Sequence, residues 1–119
     1  MSHSSQDVRK KILGRKGERL TRRYLFLHGY RIVARNYKTP FGEADIIAKK
    51  GGTFCFVEVK TRSGDPLALP SEAVDRAKQA RYRNIARYFC AARGEEVCVR
   101  FDVASVLNGK LEYFENAYL

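Results

Sequence analysis

The chain has 119 residues, the size of one domain, and a chain of that length buries roughly two thirds of its unfolded surface on folding. Its 23 Lys and Arg against 13 Asp and Glu leave a net charge of +10, which suggests a polyanionic partner such as nucleic acid, the alternative being a merely soluble basic protein. The apolar runs fall far short of the ~20 residues that cross a bilayer, and the opening MSHSSQDVRKK lacks the apolar stretch of a secretory signal, so a cytoplasmic protein with no membrane partner is expected.

Residues 1–6 read as a disordered tail and 7–119 as a single domain, because no repeat, linker or break in composition divides the rest. From about Asp7 to His28, Leu13, Gly17, Leu20, Tyr24 and Leu27 recur at helical spacing, and Gly29 supplies the stop. Three strand-like runs follow, YRIVARNY (30–37), EADIIA (43–48) and TFCFVEVKT (53–61), the last two joined through Gly51-Gly52, a two-residue hairpin signal of type I′. The third run is apolar on both faces up to Glu58, as suits a central strand covered on either side.

SGDPLALP is a loop, after which Ser71 caps a second helix running from about Glu72 to Arg93 and stopping at Gly94. VCVRFDVASVL (97–107) is a fourth strand, and Asn108-Gly109 turns the chain into a last one, LEYFENAY. The order is α-β-β-β-α-β-β. A strand, a helix and a strand in succession lay the fourth strand parallel to the third, while the first three form an antiparallel meander. The fold class is therefore α/β, a mixed central sheet flanked by helices. Cys55, Cys90 and Cys98 lie in apolar segments without paired spacing and read as small buried hydrophobes.

If Gly51 and Gly52 form the loop, paired residue numbers sum to about 103 by the geometry of a two-residue hairpin. Asp45 then faces Glu58, Glu43 faces Lys60, and alternation sends all four side chains to one side of the sheet. A slip by one residue would separate the acids. Two opposed carboxylates are unfavourable unless something neutralises them, and a hard divalent cation such as Mg²⁺ or Mn²⁺ would do so. Lys60 shares that face and is suited to stabilising a hydroxide or a phosphorane-like transition state, which together describes metal-assisted phosphodiester hydrolysis. The competing reading is a pair of ordinary cross-strand ion pairs, each worth about 1 kcal/mol or less.

On the second helix a stripe through Val74, Ala77, Ile85, Tyr88 and Ala92 includes Arg81, with Lys78 at its edge, so two cations are expected to turn toward the sheet. They would meet a phosphate or the carboxylates, or else pack their stems and hold their charges in water. Arg62, Arg15 and Lys16 join them as candidate nucleic-acid contacts. Glu18 lies at the margin of the first helix's stripe, in line with Thr21 and Leu25, as a further acid or as an exposed helix glutamate.

The succession GRKGE (14–18), HGY, Arg35-Asn36, GEADII (42–47), FVEVKTR (56–62), Lys78 and RFDV (100–103) resembles the YraN-like family of small bacterial proteins, over about residues 12–118. That family is assigned to the restriction-endonuclease-like PD-(D/E)XK superfamily and is similar to archaeal Holliday-junction resolvases. The resemblance implies that Asp45 is the aspartate of the PD position, that Glu58 and Lys60 are the (D/E)XK pair, that Glu18 is the first-helix glutamate of resolvase-like members, and that Glu43 belongs to a G-E-x-D signature. It implies Mg²⁺-dependent cleavage of DNA, of branched or damaged structure, in repair or recombination. Ala44 stands where the strict pattern has proline, and Gln79 and Tyr82 are too close for the Q-x-x-x-Y motif of some nuclease branches. The alternative is a nucleic-acid-binding module that retains the fold without catalysis. The aromatic C-terminal run offers an edge through which a homodimer would form.

Overall fold

Helix α1 (Ser5–Leu27) leads into β1 (Arg31–Thr39), β2 (Gly42–Lys50) and β3 (Thr53–Arg62), and α2 (Arg76–Arg93) then precedes β4 (Cys98–Leu107) and β5 (Lys110–Phe114), in a computed structural model that describes residues 5–64, 76–94 and 97–118. The five strands make one sheet in the order β1-β2-β3-β4-β5, antiparallel throughout except that β3 and β4 run parallel. This is the expected order and the expected mixed sheet. The expected tail falls on residues 1–4, outside the described ones, and on Ser5 and Gln6, which already belong to α1. The Ser71 cap and Val74 also lie outside the described residues.

β3 is central because it is apolar on both faces, Phe54 through Val57 being buried. Its alternate residues feed two separate cores. Phe54 and Phe56 pack with Ile47, Tyr82, Ile85, Ala86 and Phe89 under α2, whereas Cys55 and Val57 pack with Leu25, Tyr30, Ile46, Ala48 and Ala104 under α1. Fully burying an aliphatic or aromatic side chain of this kind contributes about 1.5–3 kcal/mol, so a polar substitution in the middle of β3 would strike one layer or the other according to the parity of its position.

Both helices present a different stripe from the expected one. In α1 the buried positions are Gly17, Thr21 and Leu25, while Leu27 is 67 % exposed, because the helix ends there and Gly29, at φ 83°, swings the chain away. In α2 the buried residues are Tyr82, Ile85, Ala86 and Phe89, and Ala77, Arg81, Tyr88 and Ala92 face solvent. The two largest apolar anchors, Tyr82 and Phe89, set the rotation of α2, and Lys78, one turn before Tyr82, comes onto the inward side in place of Arg81. Of the cysteines only Cys55 is buried, with its thiol pushed up to about 11 by burial; Cys90 is half-buried and Cys98 is exposed at the start of β4.

The Gly51-Gly52 hairpin has the expected register, from Lys50 opposite Thr53 through Ile46 opposite Val57. Only Gly51 has positive φ, at 60°, which is the type II′ rather than the type I′ pattern. Asn108 and Gly109 both have it, at 49° and 80°, and form the I′ turn of the last hairpin. The Asn108 side chain also holds the backbone N–H and C=O of Gly64 at 3.0 Å each, which ties down the exit of β3 just beyond Arg62.

Candidate active site

The regular pairing of β2 with β3 ends next to Asp45, whereas its pairing with β1 runs on to Gly42. Toward β3 the ladder ends at Ile46 opposite Val57, and the Val59 N–H is taken at 2.8 Å by Asp45 Oδ2 instead of by a strand carbonyl. Toward β1, the pairs Arg35–Ile46 and Tyr37–Ala44 flank Asn36, which stands in the left-handed region at φ 50° where it would face Asp45. Side-chain alternation breaks with the ladder: Ala44 packs in the α2 core although Ile46 and Ala48 pack in the α1 core. Asp45 therefore sits where the sheet splays, with its carboxylate turned in toward β3. The direct opposition of Asp45 to Glu58 and of Glu43 to Lys60 is replaced by this arrangement, because a side chain has taken over a backbone hydrogen bond.

Glu58 remains beside it. The side chain is 4 % exposed, and the Lys78 and Lys60 ammonium groups stand 2.7 Å and 3.9 Å from Oε1. The Tyr118 hydroxyl donates to Oε2 at 3.3 Å. The Lys78 contact is a charge pair without hydrogen-bond alignment, so Oε1 is a buried oxygen with no hydrogen-bond partner among the described residues. The Asp45 N–H donates to the Tyr82 hydroxyl at 3.3 Å, so one face of α2 touches both acidic positions. Burial raises the Asp45 carboxyl above its ordinary range, the Val59 N–H lowers it, and the charges of Glu58 and Glu43 raise it against the opposing effect of Lys78.

Two glycines bring the remaining acids close. A Cβ on Gly17 would collide with Thr61 Oγ1, so α1 lies directly on the end of β3, and Glu18 follows. Burial raises the Glu18 carboxyl, and the neighbouring charges of Asp45 and Glu43 raise it further. Gly42, at φ 131°, would carry a Cβ 2.8 Å from Arg81 Cδ. Arg81, an exposed residue, thus lays its stem against Gly42 at the start of β2, one residue before Glu43, which is itself exposed and paired across the sheet with Lys38. Arg62 is half-buried at the end of β3, and Arg15 and Lys16 are exposed on α1.

The expected acids, Glu18, Glu43, Asp45 and Glu58, thus share one electrostatic neighbourhood with Lys60 and Lys78. Tyr82 and Tyr118 were not foreseen there. Tyr82 carries a local signal, since it lies four residues beyond Lys78; Tyr118 carries none, because its contact with Glu58 spans 60 residues.

The RFDV stretch does different work. Asp102 is fully buried and accepts from Arg100 Nε at 2.9 Å and Nη2 at 2.8 Å, from the Tyr113 hydroxyl at 2.6 Å and from the Asn116 N–H at 2.9 Å. Arg100 Nη2 also donates to the Tyr30 hydroxyl at 2.6 Å. This closed network pins β5 and the segment after it onto β4. It thereby supports the approach of Tyr118, whose ring stacks on Phe101 with centroids 5.0 Å apart.

A mixed five-stranded sheet with a helix on each face, in the order α-β-β-β-α-β-β and with paired acids where β2 leaves β3, defines a protein of the α/β class. The sequence model of Uncharacterised protein family UPF0102 matches residues 17–106, and the chain belongs to that family, the YraN-like proteins. It is 42 % identical to a UPF0102 protein of Thermodesulfovibrio yellowstonii over 106 residues, covering 89 % of this chain and 95 % of the relative. It is 45 % identical to one from Alkaliphilus metalliredigens over 91 % of this chain and 98 % of the relative, and 41 % identical to one from Dictyoglomus thermophilum over 93 % and 100 %.

Proposed function

We propose that the protein is a divalent-metal-dependent nuclease that hydrolyses phosphodiester bonds of DNA, recognising branched or damaged structure by shape. The observation that carries this reading is the pair Asp45 and Glu58: the charge of Glu58 raises the Asp45 carboxyl, and Glu58 Oε1 is a buried oxygen with no hydrogen-bond partner among the described residues, facing the ammonium groups of Lys78 and Lys60. Among the described residues no three His, Cys, Asp or Glu side chains stand together as metal ligands. Two carboxylates fit Mg²⁺ or Mn²⁺ all the same, because these ions are commonly held by one or two carboxylates and complete their shell with water and substrate phosphate. Asp45 and Glu58 would hold the ion, which when bound supplies an activated water and neutralises charge on the phosphate.

The chain's own groups do the rest. Val59 fixes the Asp45 carboxylate through its N–H. Lys60 orients the attacking water and offsets developing negative charge, and Glu43 and Glu18 assist at the edge of the acidic cluster. Arg62, Arg81, Arg15 and Lys16 contact phosphates on either side, which supplies sequence-independent affinity. No base-reading element accompanies them among the described residues, which favours recognition by shape.

The test is cleavage of a panel of branched, single-stranded and duplex DNA by the purified chain with Mg²⁺ or Mn²⁺. Cleavage is expected to depend on metal and to be lost in Asp45→Asn and Lys60→Ala; undiminished cutting by both variants would refute the assignment. A second reading, a binding module without catalysis, is favoured by the Lys78–Glu58 ion pair, which already satisfies the charge of one metal-binding acid. It requires salt-sensitive DNA binding with no product and no rise in melting temperature on adding Mg²⁺ or Mn²⁺.

A further inference from the structure

We infer that Lys78 is an exchangeable counter-ion for Glu58, which neutralises the buried carboxylate while no divalent cation is present and turns to a phosphate oxygen of the substrate when one arrives. The inference rests on the metal-site reading above and adds a residue and a sequence of events to it.

Lys78 Nζ stands 2.7 Å from Glu58 Oε1, closer than the 3.9 Å of Lys60, so a single positive group already occupies the approach to that oxygen. The other oxygen is engaged by the Tyr118 hydroxyl. A divalent ion on Oε1 would therefore meet an ammonium at contact distance in a poorly solvated place, where like charges repel far more strongly than in water. One of the two has to leave. Lys78 is built to do so: its side chain is 33 % exposed against 4 % for Glu58, and a four-carbon stem swings its charge outward without moving the helix.

α2 itself is held in place independently. Tyr82, one turn beyond Lys78, is buried in the α2 core and its hydroxyl receives the Asp45 N–H. The released ammonium therefore stays beside the two acids, within reach of a phosphate bound there. On this account Lys78 is a positioning residue for the phosphate in the loaded state and a competitor of the metal in the empty one.

The experiment is a Mn²⁺ titration of the full chain, followed by the electron paramagnetic resonance amplitude of the free ion and by thermal unfolding, with no substrate present. Lys78→Met is expected to bind Mn²⁺ about ten-fold tighter than the parent, equivalent to about 1.4 kcal/mol, and to melt lower without metal but regain stability on saturation. Lys78→Arg, which restores the charge, is expected to return the affinity to the parent's, and Lys78→Gln serves as a second neutral variant should Lys78→Met fail to fold. Equal or weaker Mn²⁺ binding in the neutral variants overturns the exchange while leaving the metal site intact. No binding by any of the chains, or binding that Glu58→Gln leaves unchanged, overturns the metal site and the exchange together.

Discussion

Replacing Gly17 by alanine tests how tightly α1 is held on β3 and how that contact places Glu18. Within a helix, alanine is favoured over glycine by about 0.5–1 kcal/mol, so propensity alone predicts a more stable protein. The structure predicts the reverse. The new Cβ would strike Thr61 Oγ1 and lie 3.2 Å from Thr61 Cβ and 3.3 Å from its Cγ2. Thr61 cannot retreat, because β3 is held against Val106 of β4 in the middle of the sheet, so α1 has to back away. Overpacking of this kind costs about 1–3 kcal/mol, leaving a net loss of about 1–2 kcal/mol after the gain in propensity. Gly14 is the internal control: it lies on the same helix with nothing near its would-be Cβ, and Gly14→Ala is expected to stabilise by the propensity difference. Thr61→Ala should rescue Gly17→Ala with a coupling of about 1–2 kcal/mol, since Oγ1 is buried without a hydrogen-bond partner among the described residues and its loss removes mainly the obstruction. Urea unfolding followed by far-ultraviolet circular dichroism is the appropriate assay for a chain without tryptophan. Carboxyl NMR gives the second readout, because withdrawal of α1 should bring the Glu18 titration back toward its ordinary value. If Gly17→Ala were as stabilising as Gly14→Ala, the packing argument would fail.

Two further outcomes follow from the same geometry. The Asp45 and Glu18 carboxyls are raised mainly by burial, so the folded state favours their protonated forms; the stability they contribute is complete below their unfolded values, near 3.8 and 4.5, and is lost as pH rises through the folded ones. Asp45→Asn and Glu18→Gln should therefore raise the melting temperature by a few degrees near pH 7 relative to the parent, with the difference vanishing toward about pH 3, and an unchanged difference across that range would contradict the burial argument. Asp102→Asn should cost about 3 kcal/mol in urea unfolding, because it leaves the Arg100 guanidinium beside a neutral group in a closed network; a loss under about 0.5 kcal/mol would show that the network adds little.

How far the sequence disclosed these features depends on the range of the interactions that create them. The central place of β3 was legible because it needs only a run of apolar residues on both faces, and the hairpin register because Gly51-Gly52 is a local signal that forces paired numbers. The splay at Asp45 was not legible. It depends on Asn36 entering the left-handed region on one neighbour and on a carboxylate displacing a carbonyl from the Val59 N–H on the other, neither of which changes the alternating pattern of the letters. The rotation of α2 was misjudged for a related reason. Val74, Ala77, Tyr88 and Ala92 offered a plausible stripe, but Tyr82 and Phe89 bury more surface and have aromatic partners in Tyr118, Tyr37, Phe54 and Phe56 contributed by other strands and by the C-terminal segment. That competition is settled by tertiary contacts, and its result exchanges Arg81 for Lys78 at Glu58.

The Gly-Glu pairs at 17–18 and 42–43 can now be understood as one device used twice. Each glycine removes a Cβ where a neighbouring element must come into contact, Thr61 of β3 in the first case and the stem of Arg81 in the second. Each is followed by a glutamate whose charge adds to that of Asp45 or shares its surroundings. The glutamates lie on the rim and the two buried or half-buried acids, Glu58 and Asp45, at the centre. Such concentration of negative charge opposes folding in a chain that is otherwise strongly basic and could have paired every acid on its surface. Four acids drawn together at one splayed corner by two glycines, an αL asparagine and a misplaced strand hydrogen bond are poorly explained as stabilising ion pairs, since exposed pairs are obtained with far less constraint on the backbone. They are better explained by a site that needs cationic partners, of which the Lys78 ammonium, 2.7 Å from Glu58 Oε1, is the one at contact distance.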